Sequence, residues 1–435
     1  MLAFLGLITI IASLVLMLSK KLTPTATLVI VPTVTCLLAG QGASLGGYIV
    51  SGVQSVSSTT VMFIFAIIFF NLMMDAGAFD PIINAAIKFA GDDPVKITIA
   101  TVILSIIGHL DGSGITTTII CCSAMLPIYK KMHMKLLNLI LLCALTQGCM
   151  NIVPWGGPTL RVMTAYEATS AQVFNPIIIP MIAGLLFIIA IAVVLGKKDA
   201  KRLAEMKTFA QNDESVKDVD NIDRDESLKR PKLVAVNLVL IVVTLITMVL
   251  EILPPCPTMI FAAILALIIN YPNTKQQGKI VEKYGALVIN MATIMFAAGV
   301  LTGILKGSGM LDAMAEALAA AIPTSIGKMA PVIVGIIGVP ASMIFTPDAW
   351  YFSILPTITT AVSGVGVDAL SVARASLMGQ MTLGFPGSPL LAGSFLLPAM
   401  INMEFPDYQK AWFPYAWGVS IAMLVVAIVT GAVAF

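Results

Sequence analysis

Apolar runs long enough to cross a bilayer recur from one end of the chain to the other, and only one stretch breaks them with dense charge. A spanning helix needs about 20 predominantly apolar residues. The chain is 58% hydrophobic and 11% charged, whereas an ordinary soluble domain carries about 25% charge. These features place the chain among all-α polytopic membrane proteins. The first run, "AFLGLITIIASLVLMLS", has no charged residues before it and no small-residue cleavage site, so it reads as a first transmembrane helix rather than a signal peptide. A net charge of +2 gives no reason to expect a nucleic-acid partner. Cys121, Cys122, Cys143 and Cys149 lie in apolar stretches without the spacing of a zinc site, and read as small buried thiols.

The charged stretch, residues 196–232, reads as a cytoplasmic linker that is partly helical at its start. It separates a first half, 1–195, from a second, 233–435, and the halves resemble each other. "DAGAFD" (75–80) matches "GSGMLD" (307–312), "GGYIV" (46–50) matches "QGKIV" (277–281), and "SAMLPI" (123–128) matches "FSILPT" (352–357). The order is the same in both halves, which points to an internal duplication of the kind built into secondary transporters.

Lysines set the orientation. Lys20 and Lys21, Lys130, Lys131 and Lys135, and Lys197, Lys198, Lys201 and Arg202 mark three cytoplasmic sites by the positive-inside rule. Helices at about 23–38 and 61–74 lie between the first two sites. The segment at about 94–128 then starts and ends inside, which makes it a re-entrant hairpin with its tip at "HLDGSGITT". Glycines would form the turn, and such backbone is tolerated only against protein or a cavity. A broken helix at about 136–165 goes out and another span at about 175–195 returns, so the second half begins with the opposite orientation. Its own hairpin spans about 331–356, with its tip at "IFTPDAW", and its broken helix about 369–400. The expected fold is an inverted repeat of about five transmembrane helices plus one re-entrant hairpin per half. "DPIINAAIKFA" and "LDAMAEALAAAI" read as amphipathic interfacial helices.

Four polar segments interrupted by Gly or Pro sit at corresponding places: "HLDGSGITTT" (109–118), "NIVPWGGPTLR" (151–161), "FTPDAW" (345–350) and "GFPGSPLLAGS" (384–394). Half-helix N-termini offer N–H groups to an anion, and unwound carbonyls and hydroxyls suit a cation. Asp111 is costly in a bilayer, by roughly 2.5–3.5 kcal/mol. It reads as a cation or proton site or as a helix cap, with Asp348 on the opposite tip. His109 is either a titrating group or a structural donor. Arg161 suits a carboxylate or snorkels to the interface. Trp155 packs on substrate or fills the bundle. Asn151, Gly156, Gly157, Pro158 and Thr159 form a candidate unwound binding segment, mirrored by Gly387, Ser388 and Pro389. Ser113, Gly114, Thr116, Thr117, Thr346 and Pro347 complete the candidate set at the tips, although helical threonines often bond only their own backbone. Asp75, Lys306 and Asp312, beside glycines at helix ends, read as interface or capping charges. With His109 and His133 the only histidines, and no HExxH or GxSxG, nothing suggests an enzyme.

The stretches "LDGSGITTTIICCSAMLPIYKKM", "NIVPWGGPTLRVM" and "FNPIIIPMIAG", with "FTPDAWYFSILP" and "SPLLAGSFLL" in the second half, resemble the CitMHS family of citrate–divalent metal:proton symporters in the ion transporter superfamily. The resemblance implies uptake of citrate or a related carboxylate across the plasma (inner) membrane. It implies a co-transported Mg2+- or Ca2+-type cation, proton coupling, a homodimer and an elevator movement. In wider relatives the tips carry Ser-Asn-Thr. Here Asp111-Gly112-Ser113-Gly114 and Thr346-Pro347-Asp348 stand there, and Ser113 replaces a second acid found in many family members. The alternatives are a sodium- or proton-coupled di/tricarboxylate symporter working without metal, and, more remotely, a cation/proton antiporter.

Overall fold

The computed structural model describes residues 1–18, 21–206, 226–250, 252–319 and 327–434. Lys20, the middle of the expected linker (207–225) and the end of the second expected interfacial helix (320–322) lie outside the described residues. Every element among the described residues is helical. The first half runs α1 (Leu2–Leu18), α2 (Pro24–Leu38), α3 (Leu45–Asp75), α4 (Asp80–Ala90), α5 (Pro94–Gly108), α6 (Gly114–Lys131), α7 (Leu136–Met150), α8 (Gly157–Ala165), α9 (Ser170–Val173) and α10 (Ile178–Met206). The second runs α11 (Val234–Val249), α12 (Pro255–Asn270), α13 (Thr274–Gly307), α14 (Met310–Ala319), α15 (Ala330–Ala341), α16 (Pro347–Ala349), α17 (Leu355–Ser363), α18 (Ala369–Leu377), α19 (Leu396–Ala399) and α20 (Phe405–Val429). The described residues hold five helical stretches long and apolar enough to cross a membrane: Gly42–Asp75, Ser170–Glu205, Pro231–Met248, Thr274–Gly307 and Phe405–Val429.

The order of elements recurs. Each half has two apolar helices, one long helix, an amphipathic helix, a helix–turn–helix and an interrupted helix before a last long one. The matched glycines do the same work in each half. Gly77 (φ +75°) and Gly309 (φ +71°) turn the chain out of α3 and α13 in the left-handed conformation that a side chain disfavours.

Two elements differ from expectation. The third helix is not confined to 61–74 but fills Leu45–Asp75. Its hydroxyls do not break it, because Ser55 donates to Gly52 O, Ser57 to Val53 O and Thr60 to Val56 O, satisfying themselves on the helix backbone. The second broken helix is far more open than "GFPGSPLLAGS" suggests. Regular α-helix stops at Leu377 and resumes only at Leu396. Pro386 and Pro389 remove backbone donors there, and Gly379, Gly384, Gly387 and Gly393 relax the chain.

α3 and α13 form the central seam between the halves. They run antiparallel: Tyr48 meets Gly307, Gly52 meets Gly299 and Gly303, and Asp75 pairs with Lys283. Glycines at 299, 303 and 307 share one helical face, so the backbones approach closely. A Cβ on Gly52 would stand 2.1 Å from Gly299 O, a backbone atom that cannot swing aside. Gly52→Ala is expected to destabilise the protein by about 1–3 kcal/mol through overpacking. Gly47→Ala, where an added Cβ meets open space, is expected to hold or raise stability. Unfolding temperatures of the two variants in detergent check this, and equal values would exclude a backbone seam.

Around the seam, α5 packs on α6, α7 and α10, while α15 packs on α18 and α20. α10 continues into the charged stretch as far as Met206, as expected for a linker helical at its start. Its buried Asp199 accepts from Asn138 Nδ2 (2.8 Å) and Lys135 N (3.3 Å), which anchors the overhang beside the start of α7.

Candidate functional site

The turn joining α5 to α6 is built by its own side chains. Gly112 takes φ +74°, and its N–H reaches His109 O at 3.0 Å. Asp111 Oδ1 accepts from Ser113 N (2.7 Å), and Ser113 Oγ caps α6 by accepting from Thr116 N (3.3 Å). Thr117 Oγ1 gives its one hydrogen to Ser113 O (2.7 Å). Its 2.8 Å contact with His109 Nδ1 is therefore donated by the imidazole. That tautomer leaves Nε2 as a bare acceptor. His109 is fully buried and Asp111 nearly so, and neither His109 Nε2 nor Asp111 Oδ2 has a hydrogen-bond partner. The tip thus holds two unused acceptors, one of them on an acidic side chain.

The first broken helix closes over this tip. α7 ends at Met150, and 151–156 are non-helical. Gly156 admits the tight turn, since a Cβ there would stand 2.2 Å from Asn151 O. Thr159 Oγ1 donates back to Ile152 O (2.7 Å), and no side chain caps the N-terminus of α8, where Gly157 and Pro158 begin the helix. The first N–H groups of such a helix have no intrahelical partner. Trp155 Nε1 donates to Leu110 O (2.7 Å), and its ring stacks on Phe70 at 4.3 Å. Trp155 therefore joins the first break to the first tip.

The second half repeats these links with different atoms. Thr346 caps the short α16 by accepting from Ala349 N (3.3 Å), with Pro347 in the first turn. A π-helix, Trp350–Ile354, follows; such turns are rare and concentrate at functional sites. Ser388 Oγ donates to Ser342 O (2.6 Å), tying the second break to the second tip as Trp155 ties the first. Gly387 lies against the Trp412 ring, which leaves no room for a Cβ, and Pro389 continues the unwound run.

Two contacts then unite the halves. Asn151 Nδ2 donates to Met381 O (2.8 Å), and Arg161 Nε donates to Asp348 Oδ1 (2.8 Å). Arg161 Nη1 also donates to Gly157 O (3.0 Å). All four polar segments of the sequence thus meet in one buried junction. Arg161 is buried in an ion pair rather than reaching for the interface. The charges at helix ends are paired as expected of interface charges for Asp75 with Lys283 and Lys306 with Glu167.

The geometry redistributes roles within the candidate set. Thr159, Arg161 and Ser388 all bond to the protein itself, as do Thr116 and Thr117. Sequence reasoning missed Gln147 and Gln380, whose side chains keep unpartnered buried atoms. It also missed Phe385, whose ring would meet a Cβ on Gly114 at 2.4 Å. A signal existed for the two glutamines: each lies within a few residues of a break, and Gln147 lies one turn before Asn151. Among the described residues, no group of three or more His, Cys, Asp or Glu side chains forms a ready-made metal site. A cavity of about 260 Å³ lies elsewhere, lined by Tyr166, Leu301, Thr302, Phe352 and Thr359 with Asp312 at its wall. It contains none of the junction residues and is mostly apolar, so the buried junction, where polar atoms converge, is the better candidate.

The profile of the CitMHS family, described as "Citrate transporter", matches residues 3–379. A "Citrate transporter" of Bacillus subtilis (strain 168) is 39% identical over 436 residues, covering 100% of both chains. The chain belongs to the CitMHS citrate transporter family. It is therefore a multi-pass membrane transporter and not an enzyme. The "Mg(2+)/citrate complex secondary transporter" of the same organism is 34% identical over 436 residues, covering 100% of this transporter and 99% of that one. The "Uncharacterized transporter YraO" is 35% identical over 439 residues, again covering 100% and 99%. The crystal structure of the Alcanivorax borkumensis YdaH transporter matches with a TM-score of 0.49 at 11% identity, covering 88% of this chain and 86% of that one.

Proposed function

We propose that this transporter imports citrate as a complex with a divalent cation of the Mg2+ or Ca2+ type, driven by protons. The observation that carries the reading is the first tip, where Asp111 Oδ2 and His109 Nε2 are buried acceptors without partners beside the uncapped start of α8. The acceptors suit a cation or proton, and the free N–H groups of α8 suit a carboxylate. One carboxylate oxygen is far too few for a hard cation that takes six or more oxygens, so the substrate's own oxygens complete its shell, and the His109 nitrogen suits a proton or a substrate hydroxyl. Complexation also lowers the anionic charge that must enter a poorly solvated site. Two relatives named for citrate and for Mg2+/citrate support the same substrate class.

The movement we propose is an elevator one. The hydrogen bonds and ion pair that unite the junction run between hairpins and broken helices, whereas Trp155 meets α3 by stacking on Phe70 and a partly exposed ion pair, Lys306 with Glu167, joins α13 to the end of α8. Apolar stacking lets one body slide past the other, and the partly exposed Lys306–Glu167 pair is of the kind that contributes little and can part. In the same reading the halves 1–195 and 233–435 are inverted repeats and residues 196–232 face the cytoplasm. The transporter sits in the plasma membrane as a homodimer.

Reconstituted into liposomes, the protein is expected to take up radiolabelled citrate under an inward proton gradient only when Mg2+ or Ca2+ is present, and to stop when an uncoupler is added. Uptake driven by sodium without divalent cations would overturn both the metal and the proton parts of the proposal.

A further inference from the structure

Besides Asp111 and His109, two carboxamides at the junction keep buried atoms without partners. Gln380 is fully buried, yet neither its Nε2 nor its Oε1 has a hydrogen-bond partner. Gln147 is 2% exposed and its Oε1 is likewise unpartnered. They flank the bond that joins the halves: Gln147 lies one turn before Asn151, and Gln380 immediately precedes Met381.

The backbone at Gln380 is held from several sides. Tyr351 donates its hydroxyl to Gln380 O (2.7 Å), Met381 N donates to Ser342 Oγ (2.9 Å), and Asn151 Nδ2 reaches Met381 O (2.8 Å). Met381 sits at φ +51°, a conformation unfavourable for a residue with a side chain and held by these contacts. The fold thus fixes where Gln380 stands while its carboxamide makes no bond within it. Gln147 is placed with similar closeness. Asn151 N donates to Gln147 O (3.0 Å), Gly148 lies against Leu383 and Thr382 O, and Gln147 Oε1 would be 3.1 Å from a Cβ on Gly114. A buried amide without partners destabilises the protein that carries it. Gln380 leaves both amide atoms unpaired and Gln147 its Oε1, and with Asp111 Oδ2 and His109 Nε2 at the same junction they mark positions whose partner arrives from outside.

We infer that Gln380 and Gln147 are substrate-binding residues that select a hydroxylated polycarboxylate. The inference rests on the transport reading above and names residues for it. A carboxamide presents a donor and an acceptor side by side. A carboxylate takes the donor, and a substrate hydroxyl serves the acceptor. A site built to bond a hydroxyl rejects the analogue that lacks it, because its buried polar groups are then left unpaired.

The test uses the full-length protein in detergent: wild type, Gln380→Met and Gln147→Met. Unfolding temperature is read alone, with Mg2+ alone, with Mg2+ and citrate, and with Mg2+ and tricarballylate, which is citrate without its hydroxyl. Methionine is nearly isosteric and removes the unpartnered amide. The variants alone are expected to unfold at or above the wild-type temperature. Their affinity for citrate with Mg2+ is expected to fall at least tenfold, and the preference for citrate over tricarballylate to shrink. Wild-type affinity in both variants overturns the inference. So does a lower unfolding temperature with affinity retained, which would make the amides structural. Should one variant fail to fold, the other carries the same reading. A wild-type protein that responds to neither citrate nor tricarballylate overturns the proposed metal–citrate substrate, and that arm separates the two failures.

Discussion

Arg161→Ala is expected to cost about 3–5 kcal/mol of stability, because it strands Asp348 as an uncompensated buried charge. The side chains of the pair are 10% and 9% exposed, and Nε lies 2.8 Å from Oδ1. Burial this deep separates the pair from surface salt bridges, which contribute little. Asp348→Ala is expected to cost a similar amount for the mirrored reason. The double variant Arg161→Met with Asp348→Leu removes both charges and is expected to recover most of that loss, since an apolar pair carries no desolvation penalty. Chemical unfolding of the three variants in detergent compares stranded charges with a neutral apolar pair. Single variants within about 1 kcal/mol of wild type would show that solvent screens the pair. The double variant is also expected to transport poorly despite its recovered stability. The pair joins the start of α8 to the tip before the π-helix, so its loss frees two arms of the junction to move apart.

Asp111→Asn is expected to bring proton-driven uptake down to background while leaving the fold intact. The substitution keeps a carbonyl oxygen for Ser113 N, so the turn and the cap of α6 survive. What it removes is the ability of the unpartnered Oδ2 to carry charge or hold a proton. Proteoliposome uptake under a proton gradient measures the loss. Citrate counterflow without a gradient assigns it: preserved counterflow identifies a proton site, and lost counterflow a cation ligand. Driven uptake within about twofold of wild type would reduce Asp111 to a turn-forming residue of the tip.

Much of the architecture was legible in particular residues. The turn at "LDGSG" and the break at "VPWGGP" are encoded locally, where glycine permits φ values that other residues resist and proline lacks a donor. Gly77 and Gly309, paired in the sequence, each stand at the end of a long helix. The third helix extends back through the hydroxyl run 57–60 because a helical threonine or serine can return its hydrogen to its own backbone, which composition does not reveal. The extent of the second break was hidden for a related reason: each Gly and Pro weakens a helix slightly, and whether their sum unwinds 378–395 depends on what packs there.

The sequence by itself determined that the chain lies in a membrane, that two hairpin tips and two broken helices carry its polar groups, and which family it resembles. Hydrocarbon tolerates only satisfied backbone, so apolar length and Gly/Pro position declare themselves without tertiary knowledge. Only the tertiary structure decided which of those polar groups remain available. Arg161 and Asp348, 187 residues apart, neutralise each other, and Asn151 finds Met381 across 230 residues. Thr159 and Ser388 close onto carbonyls, while Asp111, His109, Gln147 and Gln380 keep unpaired atoms. Hydrogen-bond satisfaction is a property of neighbours in space, and for Arg161, Asp348 and Asn151 those neighbours come from the opposite half of the chain.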